Sequence, residues 1–224
     1  IQAITTSALK GLTTAGVAAL TTAQAEKLTT DQIAALSTAQ VAAIGTDDLA
    51  KLGTDQIGAL SSTQVKALTT AQIVALTTAQ VEKLGTDQIV ALTTAQIKAI
   101  ATDDLAKLTT DQIKALSSTQ VAALTTDQVA KLSTDQIQAI TTSALKGLTA
   151  ANITALTTAQ AEKLTTDQIA ALTSVQVAAI GTDDLQKLGT DQIGALSTAQ
   201  VKALTTAQIE ALTTAQVEKL GTDQ

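Results

Sequence analysis

These 224 residues contain no cysteine, proline, methionine, histidine, arginine, phenylalanine, tyrosine or tryptophan. Without Cys there is no disulfide and no thiolate metal site. Without His, Cys or Tyr, the usual groups for proton transfer and nucleophilic attack are missing, so the sequence reads as a structural chain and not an enzyme. No cofactor and no metal ligand set is expected. The absence of aromatics removes the large core fillers, which leaves Ala, Leu, Ile and Val to line a narrow aliphatic core in place of a compact globule. A formal charge of −6 with Lys as the only base disfavours nucleic acid as a partner. No apolar run approaches the roughly 20 residues of a membrane span, and no signal peptide is visible. Lacking Met, the stretch is expected to be a piece of a longer chain.

What the sequence does have is repetition. From Thr5 onward it divides into octads without a slip: TTSALKGL, TTAGVAAL, TTAQAEKL, TTDQIAAL and so on, flanked by the half octads IQAI and GTDQ. Residues 1–224 thus form one continuous octapeptide array. Position one is Thr, Ser, Gly or Ala, and position two is Thr or Ser except at Ala150. Position four is usually Gln, position five mostly Ile, Val or Leu, position seven mostly Ala or Lys, and position eight always Leu or Ile. Longer blocks are duplicated on top of this. AITTSALKGL at Ala3 returns at Ala139, 17 octads on, and GTDDLAKL at Gly45 returns as ATDDLAKL at Ala101, 7 octads on.

A single long helix does not accommodate this period. Eight residues at 100° each leave the apolar pair drifting by about 80° per octad, which no partner helix can follow. The Thr-Thr and Gly-Thr steps also interrupt helix propensity at every junction. One short helix per octad fits better. Thr at position two is a good N-cap, although Thr at position one with Gln at position four also spells a capping box, which leaves the boundary open by one residue. Gly at position one, as in Gly45, Gly53, Gly85 and Gly181, suits a left-handed closure of the preceding helix. Positions five and eight share a helix face, and helices this short must stack to survive. The expected fold is an all-α solenoid with one short helix per octad. A β-solenoid is the alternative, weakened because a strand would point positions five and eight to opposite faces.

Lys at position seven recurs with a longer beat, at Lys27, Lys51, Lys83, Lys107, Lys131, Lys163, Lys187 and Lys219. Each is followed four residues later by an acid: Asp31, Asp55, Asp87, Asp111, Asp135, Asp167, Asp191 and Asp223. Seven gaps span the 192 residues from Lys27 to Lys219, a mean of about 27.4 residues or about 3.4 octads. One superhelical turn of about 3.4 octads would hold these residues on one side, as heptads hold a stripe on a helix. That side is the candidate assembly face, for self-association into filaments or lateral bundles. The pairs Asp47/Asp48, Asp103/Asp104 and Asp183/Asp184 offer oxygens that calcium accepts, but the known calcium-loop patterns are absent. Acids at a helix N-terminus account for them equally well.

The octads TTAQIVAL at Thr69–Leu76 and TTDQIAAL at Thr29–Leu36 resemble repeat tracts of very large secreted proteobacterial proteins described as adhesin-like. That resemblance implies an extracellular or cell-surface spacer or fibre and carries over no functional residue. The leading reading is a structural segment of an extracellular fibre, stalk or surface filament. The alternatives are an interaction module that uses the Lys/Asp face, and an ice-binding array of Thr.

Overall fold

Each octad carries its own start and stop signals. Within Thr29–Leu36, the Thr29 hydroxyl accepts the Gln32 backbone N–H at 3.2 Å, and Gln32 Oε1 accepts the Thr29 N–H at 2.8 Å. This reciprocal capping box satisfies two amides that a helix start otherwise leaves bare. The N-cap is therefore position one, and position two is the first helical residue; position two is not the cap, because only from position one does the hydroxyl reach the position-four amide. Six helical residues follow, Thr30–Ala35, before Leu36 turns extended at φ −61°, ψ 143°. The next cap, Ser37, is extended too, at φ −71°, ψ 161°. Six helical and two extended residues thus make the repeating backbone unit.

This unit needs no left-handed residue, and no residue has a positive φ. Gly45 and Gly181, expected to close the preceding helix in that conformation, instead adopt φ −59° with ψ 148° and 147° and serve as N-caps. Gly53 and Gly85 do the same. The correction has a simple cause: the extended Leu at position eight already ends each helix, which leaves nothing for a left-handed glycine to do.

The computed structural model describes residues 1–224 throughout and contains 27 α-helices and no strand, from α1 (Thr6–Lys10) to α27 (Thr214–Lys219). The chain forms two compact units, Ile1–Ala115 and Leu116–Gln224, built alike. In the first, α1 packs on α4 (Thr30–Ala35), α4 on α7 (Thr54–Gly58) and α7 on α10 (Thr78–Lys83). The second places α17 (Thr134–Ala139) on α20 (Thr158–Lys163), α20 on α23 (Thr182–Lys187) and α23 on α26 (Thr206–Ala211). Within each unit a helix thus meets the third one along. Position-four side chains bond to the fourth octad back, as Gln72 does to Val41 and Ile44. One turn therefore holds between three and four octads, which brackets the value expected from the spacing of the lysines. Each unit is a helical solenoid.

Positions five and eight fill the core, as their spacing implied. Ile33, Leu36, Val65 and Leu68 are buried in the first unit, and Ile169, Leu172, Ile193 and Leu196 in the second. Burying one such side chain contributes about 1.5–3 kcal/mol, whereas a six-residue helix alone is unstable. Stacking is thus what keeps the helices formed.

Of the glycines, Gly147 lies closest to a neighbouring backbone. A Cβ there would lie 2.0 Å from the Ser118 carbonyl oxygen, a distance no side chain tolerates. The same octad sequence places Gly11 where only the oxygen of Ala8 in its own octad, at 3.2 Å, limits a Cβ. Gly147→Ala is expected to destabilise the chain by about 2 kcal/mol or more, and Gly11→Ala by about 0.5 kcal/mol or less. Urea unfolding followed by circular dichroism compares the two; equal effects would contradict the close approach.

Candidate functional site

The residues predicted to form the charged face are all exposed, close to the ends of their helices. Lys at position seven lies in or just past the last helical turn. Asp at position three lies in the first turn, except Asp223, which follows the last helix. Apart from Asp223, each charge thus sits at the dipole end that favours it. Lys27, Lys51, Lys107, Lys131, Lys163 and Lys187 share this exposed placement with Asp31, Asp87, Asp111, Asp135, Asp167 and Asp223. Ion pairs join successive turns, as between Lys83 Nζ and Asp55 Oδ1 at 3.6 Å and between Lys219 Nζ and Asp191 Oδ1 at 3.0 Å. Lys83 therefore reaches back to the acid of an earlier turn and not forward to Asp87, four residues on.

Glycine at position six makes room for these lysines. A Cβ on Gly58 would touch Lys83 Cγ at 3.8 Å, and one on Gly194 would crowd Lys219 Cγ at 3.2 Å. The lysine stem thus lies along the turn beneath, with its ammonium at the acid. Beside Lys83 an open surface groove runs past Asp55, Gly58, Ser61, Ser62 and Asp87. The side chains of Lys83 and Asp55 are 54% and 82% exposed, so the pair is well solvated and of modest worth. Such a pair contributes little to the fold and leaves both charges open to solvent.

The acidic doublets separate into unlike halves. Asp47, Asp103 and Asp183 are exposed, whereas Asp48 is buried and Asp104 and Asp184 are half-buried. Each inner carboxylate accepts a hydroxyl three octads earlier: Thr22 to Asp48 at 2.7 Å, Thr78 to Asp104 at 2.5 Å and Thr158 to Asp184 at 2.7 Å. No three acids or other metal-ligating side chains come together anywhere in the chain.

The position-four Gln, which the sequence marks as a partner in a capping box, has a larger part in the structure. Gln72 is buried, its Oε1 accepts the Thr69 N–H at 2.8 Å, and its Nε2 donates to the Val41 and Ile44 carbonyls at 2.9 and 2.8 Å. One amide caps the start of its own helix and the end of another. Asn152 does the same with a shorter arm and reaches only Leu124, at 3.0 Å.

Two outcomes follow. Gln72→Ala leaves the buried Ile44 carbonyl without a donor, while that of Val41 still accepts the Ile44 N–H, and is expected to cost about 1–3 kcal/mol, with Gln72→Asn, which keeps one bond, falling between it and the parent chain. Lys83→Ala is expected to cost about 0.5 kcal/mol or less, with the difference fading in molar salt. Urea unfolding monitored by circular dichroism checks both, and a larger loss from the lysine than from the glutamine would reverse this ranking.

The match to known families follows the same repeat. The family described as ALTTAQ repeat matches residues 41–78, 73–102, 97–134, 129–166, 137–174, 177–214 and 201–224. No curated protein matches the chain. The octad whose caps, core and turn-to-turn amides are described above runs through these stretches, which take up well over half of the sequence, and the chain belongs to the ALTTAQ repeat family.

Proposed function

We propose that this chain is a structural segment that sets length in an extracellular fibre, stalk or surface filament. The observation that supports it most is the uniformity of the turn-to-turn bond. Gln40, Gln64, Gln96, Gln176 and Gln208 all donate to the carbonyls 28 and 31 residues back. Contacts confined to neighbouring turns let a repeat array grow without a new fold. The resemblance of the octads to tracts in adhesin-like proteins supports an extracellular or cell-surface setting. The lack of His, Cys and Tyr supports a role without catalysis. No helix is long and apolar enough to cross a membrane.

A second reading is favoured by the ion pairs on the exposed face. There the face holds a partner or a second array, and Lys83 and Lys219 are poised for exchange between intrachain and interchain acids. The two readings separate on one set of variants. With Lys27, Lys51, Lys83, Lys107, Lys131, Lys163, Lys187 and Lys219 all replaced by Ala, a spacer keeps the parent's sedimentation coefficient and circular dichroism. If the parent assembles in low salt and the variant does not, the face is an interface and the spacer reading is incomplete. Antibody against the chain is expected to label intact, unpermeabilised cells; labelling only after permeabilisation would contradict the surface setting.

A further inference from the structure

At three octads an acid replaces the amide that joins one turn to the next. Asp48, Asp104 and Asp184 occupy position four there, and a carboxylate has no hydrogen to donate. The carbonyl oxygens that an amide would serve, those of Leu20, Leu76 and Leu156, receive no donor from the chain. Leu76 and Leu156 are buried residues, so their carbonyls are poorly placed to bond solvent instead. The same octads lose their caps. Gly45, Ala101 and Gly181 stand at the N-cap with no side-chain hydrogen bond to the helix start. In return each octad gains one hydroxyl–carboxylate bond, from Thr22, Thr78 or Thr158. Ala144 also lacks an amide at position four, but its octad keeps the Thr141 cap and the close backbone approach at Gly147. The three acidic octads alone combine a lost amide with a lost cap over an earlier turn.

An internal void of about 10 Å³ lies against Asp184, Ile153, Leu156 and Ala161. Asp184 stands where a longer amide would point at Leu156, and Ala161 stands where most octads carry Ile or Val.

We propose that these three octads are opening planes: the array parts first between Asp48 and the Leu20 end, between Asp104 and the Leu76 end, and between Asp184 and the Leu156 end. Turns joined by Gln hold longer, so extension or heating proceeds in a fixed order and not at random. This deepens the spacer reading by making the segment extensible in steps, while the order of opening stands apart from what the array carries. Local opening of this kind is read directly by amide exchange.

The test is hydrogen exchange of the full chain, with mass-spectrometric fragmentation to resolve individual octads. Protection in 70–75 with 102–105, and in 150–154 with 182–187, is expected to be about tenfold or more below that of the Gln-joined pairs 30–35 with 62–67 and 134–139 with 166–171. The triple variant Asp48→Gln, Asp104→Gln, Asp184→Gln is expected to erase that difference. Should the triple variant not fold, Asp104→Ala alone decides: loss of the Thr78 bond lowers protection at 70–75 and 102–105 further. Uniform exchange in the parent chain, or a Gln variant that folds and exchanges no more slowly, overturns the proposal. A partner found on the charged face would overturn the spacer reading and leave these exchange rates as they are.

Discussion

A buried primary amide is the part on which the rest of this structure depends. Two backbone problems arise at every octad: a helix start with bare N–H groups and a helix end with bare carbonyls. A helix of six residues has almost nothing else, so nearly every backbone group is a terminal one. Glutamine answers both, because its amide presents an acceptor and two donors a fixed distance apart. Gln168 shows the full reach. Its oxygen takes the Thr165 N–H, while its nitrogen gives to Ile137, Gln138 and Ile140. The aliphatic core supplies the attraction between turns, but it does not fix their rotation. The amides do, because their bonds are directional.

This arrangement explains why the core can be so plain. Ile, Leu and Val at two positions have no shape that tells one octad from another, and a core of identical aliphatics ordinarily specifies its partners poorly. Here the buried polar group carries the specificity. No buried side-chain nitrogen or oxygen is left without a partner, which is the condition under which a buried polar network rigidifies a fold and does not weaken it. Where an acid takes the place of Gln, a neighbour compensates in part, as Thr158 does for Asp184.

Much of this was legible in the octad. The eight-residue period, the aliphatic face at positions five and eight, the short helices and a turn of three to four octads all follow from spacing alone. The cap stays open by one residue in the sequence because positions one and two are both Thr in many octads, and composition cannot say which hydroxyl faces the helix. Glycine at position one misled for a related reason. A glycine that follows a helix commonly closes it, but Gly45 after Ile44 takes extended angles and opens the next helix instead. The burial of Gln does have a signal in the sequence. Position four holds Gln in octad after octad, while the mostly exposed position six changes freely between Ala, Gly, Val, Lys, Glu, Gln and Thr. A surface residue has no reason to be so fixed. The pairing of Lys83 with Asp55 was not legible, since a contact 28 residues away depends on how far each turn rises.

The amide bonds between turns reach back no more than 31 residues. That limit bears on how such a sequence survives copying. A gain or loss of whole octads leaves every octad with the same kind of neighbour, so the gene can stretch or shrink while the protein keeps folding by the same rules. A slip of one residue misplaces Gln only for turns that straddle the error, and beyond that distance the register is restored. Faults in this array are therefore contained to about one turn, and a long chain is no more fragile than a short one.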